Sequence, residues 1–197
     1  MARAVQKRRL ETRANLLAAA HDVIAVDGYG ALRVEDVVSR AGVAKGTFFS
    51  HFKDKDALMD LLIGAELDRI LDRMQAEKAP LNADDVTNAL MPLLNFMTTE
   101  RYVLDVILRY SGAAAISAIG PIAMTFGRQI EIYTGWFESS QTQFRRDINA
   151  ELLAEGLQAF ALQAVAVHFC ALHNSVSVRD RLSVYLEAWL HPRAATT

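Results

Sequence analysis

No disulfide can form within this chain, because its 197 residues include a single cysteine, Cys170. A lone thiol fits a reducing compartment, so a cytoplasmic protein is expected. No apolar run reaches the roughly 18 residues needed to span a bilayer. The basic N-terminus has no apolar signal core behind it, and no membrane partner is expected. Strand-like alternation is missing over any useful length, which excludes a sheet-based fold. Gly-x-Ser-x-Gly turns and glycine-rich phosphate loops are missing too, and with them the grounds for reading an enzyme. His168, Cys170 and His173 lie close in sequence. They supply neither an i, i+4 ligand pair nor a Cys-x-x-Cys, so no metal or other cofactor is expected.

What the chain does have is apolar content and an uneven charge. Hydrophobic residues make up 52% of it, enough to bury a sizeable core. The formal net charge is −2, but the sum hides an asymmetry. Residues 1–55 hold ten Lys and Arg against six Asp and Glu, a surplus of +4, and the rest holds eleven against seventeen, or −6. A basic head on an acidic body points the head at a polyanion.

Helical spacing predicts about nine helices and an all-α fold. The first runs over 8–27 with Leu10, Leu17, Ala20 and Ile24 at helical intervals, and Gly28 stops it. Short helices fit 34–41, with Val34, Val37, Val38 and Ala41 inward, and 45–51. Gly42 suits a left-handed turn between them. Asp54 is a fitting N-cap for a helix from Lys55 to about Lys78. After a break at Pro80 and Asn82, a helix begins near Asp84 that Pro92 should kink or split. Further helices fit 100–110, 121–139 with Pro121 in the first turn, 148–172 and 177–190. The small residues between Gly112 and Pro121 fit a loop or a loose helix, and the tail from His191 looks frayed.

Two short helices about a glycine turn form a helix-turn-helix, whose second helix enters the major groove. The second helix here lies in "AGVAKGTFFSHFKDK", residues 41–55. Phe48 and Phe52 are four apart, share a face and should pack inward. Gly46 has no side chain and permits close approach to a neighbour. Lys45 and Thr47 sit at the N-terminal end, where side chains reach base edges and phosphate.

The segment "LRVEDVVSRAGVAKGTFFSHFKDKDALM" (32–59), preceded by "LLAAAHDVIAVDGYGAL" (16–32), resembles the DNA-binding domain of TetR-family transcriptional regulators. The elements that carry the likeness are Ala41-Gly42-Val43, Gly46-Thr47, His51-Phe52 and Lys55. The resemblance implies a three-helix DNA-binding domain over 1–54 and a larger helical ligand-binding and dimerisation domain over 55–197. It implies that Thr47, Ser50, His51 and Lys55 hold phosphates, and that Ala44, Lys45, Gly46 and Ser50 face bases. Three positions depart from the family pattern. Phe49 replaces a tyrosine whose hydroxyl binds phosphate, a loss of roughly 0.5–1.5 kcal/mol if nothing substitutes. Arg33 stands where Ser or Thr would cap the second helix. Glu35 stands where several relatives are basic; it would repel phosphate or accept from a cytosine amino group.

The resemblance further implies a switch, in which a small molecule re-spaces two DNA-binding heads. Phe126, Ile130, Tyr133 and Phe137 form a helical stripe with Trp136 alongside, and Phe96, Met97, Tyr102, Tyr110 and Met124 lie on neighbouring segments. Such residues either line a pocket for an apolar or amphipathic ligand or fill the core. Arg128 and Glu131 are spaced to pair with each other. In the last helix Val178, Leu182, Tyr185, Leu186 and Trp189 make a stripe, and the helix before it is rich in alanine. Two such helices from each of two subunits could build a four-helix seam, or they could pack on their own domain. The expectation is therefore a homodimeric, ligand-released repressor that binds double-stranded operator DNA. The alternative is a ligand-binding or adaptor protein of the same fold that has lost DNA binding.

Overall fold

The computed structural model describes residues 2–112, 119–139, 144–170, 172 and 175–191. Among these the chain is all-helical: α1 (Ala2–Asp27), α2 (Val34–Ala41), α3 (Lys45–Phe49), α4 (Lys55–Ala76), α5 (Ala83–Met97), α6 (Arg101–Tyr110), α7 (Pro121–Glu138), α8 (Ala150–His168) and α9 (Val178–Leu190). The chain divides into two compact units, Met1–Ile63 and Gly64–Thr197. The segment 113–118, His173 and the tail after His191 lie outside the described residues.

In the first unit α1 buries Leu16, Ala19, Ala20 and Val23, an i, i+3, i+4, i+7 stripe. The expected inner face is thus partly corrected. Leu10 is 62% exposed, within a stretch, 5–11, in which every residue is exposed. Helix α2 has Arg33 at its N-cap, with no side-chain cap hydrogen bond, and Gly42 at its C-cap, whose φ is +66°. The Gly42 and Val43 amides donate to the carbonyls of Ser39 and Val38, closing the end that only a left-handed residue permits. Helix α3 is shorter than 45–51 and stops at Phe49. Ser50 and His51 continue as a turn, with the His51 amide 2.9 Å from the Phe48 carbonyl. Asp54 caps α4 as expected, accepting from the Ala57 amide at 2.8 Å.

Three helices of the second unit, α5, α8 and α9, begin on side-chain caps that satisfy a free amide of the first turn. Asn82 accepts from Asp85, Asn149 from Leu152, and Ser177 from Asp180. Pro121 opens α7 in the first turn. Pro92 does not split its helix: α5 continues from Ala83 to Met97. Helix α8 is shorter than 148–172 and ends at His168. It is the one described helix long and apolar enough by length and composition to cross a membrane. Its Leu153, Ala154, Leu157, Ala161, Ala164 and Val165 are buried within the protein.

Two close approaches fix helix packing in this unit. A Cβ on Gly156 would lie 2.5 Å from the Trp189 ring, and one on Gly64 would lie 2.6 Å from the Pro121 Cβ. The Trp189 indole N–H donates to the Leu153 carbonyl at 3.2 Å. Val178, Leu182, Leu186 and Leu190 of α9 are buried too. Most of the stripe that could have formed a subunit seam is therefore core. Arg128 does not pair with Glu131 in the expected way. Its guanidinium reaches Asp68 at 2.5 Å, Asp72 at 2.6 Å and Gln75 at 2.9 Å, tying α7 to α4. We expect Gly156→Ala to lower stability by about 1–3 kcal/mol, the cost of forcing a methyl into a packed contact. Urea unfolding measures it, and an unchanged midpoint would contradict the α8–α9 contact.

Candidate functional site

Residues 41–55 split into two faces. Phe48 is 0% and Phe52 4% exposed. Their ring centroids lie 5.3 Å apart, and they are joined in the core of the first unit by Leu16, Val37 and Leu58. The helix is too short to be stable alone; this burial decides which side of it faces out. Ala44, Lys45, Gly46, Phe49 and Ser50 are exposed, and Thr47, His51 and Lys55 are half-buried. All eight expected DNA-facing residues therefore reach the surface of one unit.

Each side chain has its own surroundings. A Cβ added to Gly46 would meet nothing within 4 Å, so the protein's own packing does not require glycine there. The Ser50 hydroxyl donates to the Thr47 carbonyl at 2.7 Å. Phe49 is 48% exposed and sets its ring edge-on to Phe48. Burial holds the Lys55 ammonium below the usual lysine range, against an opposing pull from Asp56.

Two features were not visible in the sequence. Arg13 of α1 donates to the His51 carbonyl at 2.9 Å, and its guanidinium lies 4.4 Å from the Phe52 ring centroid. It thus clamps the C-terminal end of the α3 turn to α1. Lys45 and Glu35 meet across the helix-turn-helix, with Nζ 2.5 Å from Oε1. That contact lowers the Glu35 carboxyl below the usual carboxylate range. Sequence spacing could have found neither, since the partners lie 38 and 10 residues apart.

Among the described residues the ligand-pocket candidates differ in burial. Tyr133, Trp136, Phe137 and Met97 are buried. Tyr133 and Trp136 lie tilted with ring centroids 5.2 Å apart, and Phe137 meets Phe144 edge-on. Burial drives the Tyr133 phenol far above its ordinary value; its hydroxyl and Gln129 Oε1 are 3.4 Å apart. Phe96, Tyr102 and Tyr110 are half-buried, and Met124 stands at the surface, 68% exposed. Phe126 and Ile130 line an open groove of about 520 Å³ between α7 and α8, with Gly127, Gln158, Ala159 and Leu162. Gln158 fixes this groove by donating to the Phe126 carbonyl at 2.9 Å.

Burial first, then the charges of Arg9 and Arg13, pushes the His51 imidazole below its ordinary 6.5. Between the lowered folded value and the unfolded one, the unfolded chain binds more proton, so stability rises with pH. His51's contribution is complete above 6.5 and is lost as pH falls through the folded value. An NMR titration should show the imidazole protonating below the ordinary range and moving up in Arg13→Gln. A titration at or above the ordinary value would refute this.

Comparison with known proteins bears on the helix-turn-helix sequence and on the fold. Residues 16–62 match the model of the family described as bacterial regulatory proteins, tetR family. The chain is 33% identical over 102 residues to the uncharacterized HTH-type transcriptional regulator YvdT of Bacillus subtilis, a match covering 50% of this chain and 51% of that one. The matched stretch thus spans about half the length of that relative. Among solved structures, the fold is similar to Thermus thermophilus FadR, a TetR-family repressor in complex with lauroyl-CoA (TM-score 0.67, 14% identity, 94% of this chain and 96% of that one). It is also similar to Bacillus subtilis FadR in complex with stearoyl-CoA (TM-score 0.57, 17% identity, 91% and 98%). Residues 16–62 thus match the model of the tetR family of bacterial regulatory proteins, and they sit in an all-helical fold similar to that of the two FadR structures.

Proposed function

We propose that the protein is a cytoplasmic, sequence-specific DNA-binding regulator, a homodimeric repressor released from its operator by a small apolar or amphipathic molecule. In this reading residues 1–54 bind DNA and residues 55–197 bind the ligand and the second subunit. The observation that carries it is the division of the α3 turn. Its aromatic pair Phe48 and Phe52 is buried, while Ala44, Lys45, Gly46 and Ser50 are exposed. The open space at Gly46 suits a base edge or sugar pressed against the backbone. Thr47, Ser50, His51 and Lys55 then meet phosphates, and the exposed Phe49 ring packs on sugar where a hydroxyl would have donated. A two-fold dimer would set two such turns in successive major grooves, roughly 34–36 Å apart. Because the α9 stripe is core, the seam falls instead to exposed positions such as Leu152 of α8 and Val184 of α9.

For the ligand, the two FadR structures hold acyl-CoA thioesters, which are amphipathic. The Phe126 and Ile130 groove is a point of entry for an acyl chain toward Tyr133 and Trp136. The second reading, an adaptor without DNA binding, is favoured by Phe49 and by Glu35 at the reading edge. In this reading the protein acts as a regulator and not as an enzyme.

Binding of a duplex enriched by the protein from a random pool separates these readings. Affinity should fall steeply with salt, and Lys55→Ala should make the log–log slope shallower by about one unit. Gly46→Ala should weaken binding at least about tenfold with an unchanged melting temperature, since its methyl meets no protein atom. No salt dependence would favour the adaptor. If lauroyl-CoA is an effector, the bound duplex should weaken its affinity by the same factor by which it weakens the duplex. Equal calorimetric affinities with and without DNA would exclude it.

A further inference from the structure

We propose that Glu35 is a specificity-determining residue, which acts with Lys45 as one paired reader of a G·C base pair; the proposal rests on the DNA-binding reading above. Lys45 is the only basic side chain on α3, and Glu35 is the second residue of α2. Their side chains are 57% and 61% exposed and meet at 2.5 Å. The cation at the tip of the reading helix is therefore already held by an anion that projects from the same edge.

That arrangement changes what Lys45 can do. An unpaired lysine is attracted to any phosphate and strengthens binding to all sequences alike. Here a phosphate can take Lys45 only by leaving the Glu35 carboxylate facing the anionic backbone. Random DNA thus gains little from this lysine. An exposed ion pair adds little stability, so it opens readily when both members find better partners. A G·C pair supplies both. Guanine O6 and N7 are adjacent acceptors for the ammonium, and the cytosine N4 amino group donates to a carboxylate. The exchange gives both charged groups base partners in place of each other. An A·T pair places an amino group between its two acceptors and presents a methyl group, so the ammonium loses one partner. The ion pair acts as a filter, weakening non-specific contacts and permitting one specific one.

The test is selection from a pool of randomised duplexes, with the wild type, Glu35→Gln, Lys45→Gln and the double variant. The wild type should enrich a G·C pair at one position per half-site. Glu35→Gln should tolerate other bases there, losing about tenfold in discrimination. It should also bind unselected duplex more tightly, with a salt slope steeper by about 0.9 as Lys45 is released. In the Lys45→Gln background the same change should steepen the slope less. If Glu35→Gln enriches the same site as strongly and keeps the wild-type slope, the pair is a solvated surface contact and the proposal is wrong. If the wild type enriches no sequence, the DNA-binding reading fails first. The wild-type selection alone distinguishes that case.

Discussion

The burial of Phe48 and Phe52 is the constraint on which the reading surface depends. Five helical residues cannot hold a helix in water, and α3 spans only Lys45–Phe49. Two aromatic rings in the core of the first unit supply the apolar burial that local hydrogen bonds lack. They fix the rotation of the turn, and the rotation decides that Lys45, Gly46 and Ser50 face outward. Arg13 adds a second restraint from α1 through the His51 carbonyl and the Phe52 ring. The surface is thus a consequence of the core beneath it.

The second unit is organised by close helix approaches and by one charged tie. Glycine at 156 lets the Trp189 ring lie on α8, and glycine at 64 lets the start of α7 lie on α4. Arg128 extends the α4–α7 joint by three hydrogen-bonded side chains, Asp68, Asp72 and Gln75. Helix α7 thus carries the aromatic groups on one side and a direct tie to α4 on the other. A ligand that shifted α7 would act on that tie, which gives the proposed switch a physical route within the unit.

Much of this was legible from residue types and spacing. Phe48 and Phe52 declared their face by standing four apart, Gly42 its left-handed turn, and Asp54 its cap. The all-helical fold followed from the missing strand alternation. What spacing left open was the tertiary partners, which periodicity does not encode. Leu10 fits the helical repeat but lies beyond the core. The α9 stripe was right in composition, yet sequence could not say that α8 and the rest of its own unit would cover it. Arg128 had a plausible neighbour at i+3, and three partners more than fifty residues away displaced it. The aromatic residues along α7 read as one stripe, but a helix packed on two sides divides them between core and groove.

The central claim is that one turn of chain turns its aromatic side inward and its polar side to DNA. Amide and methyl chemical-shift mapping with an enriched duplex tests it most directly. The account predicts the largest amide shifts across Ala44–His51 and at Lys55, with the ring environments of Phe48 and Phe52 little changed. Shifts confined to α7–α9, or none within 44–55, would contradict it.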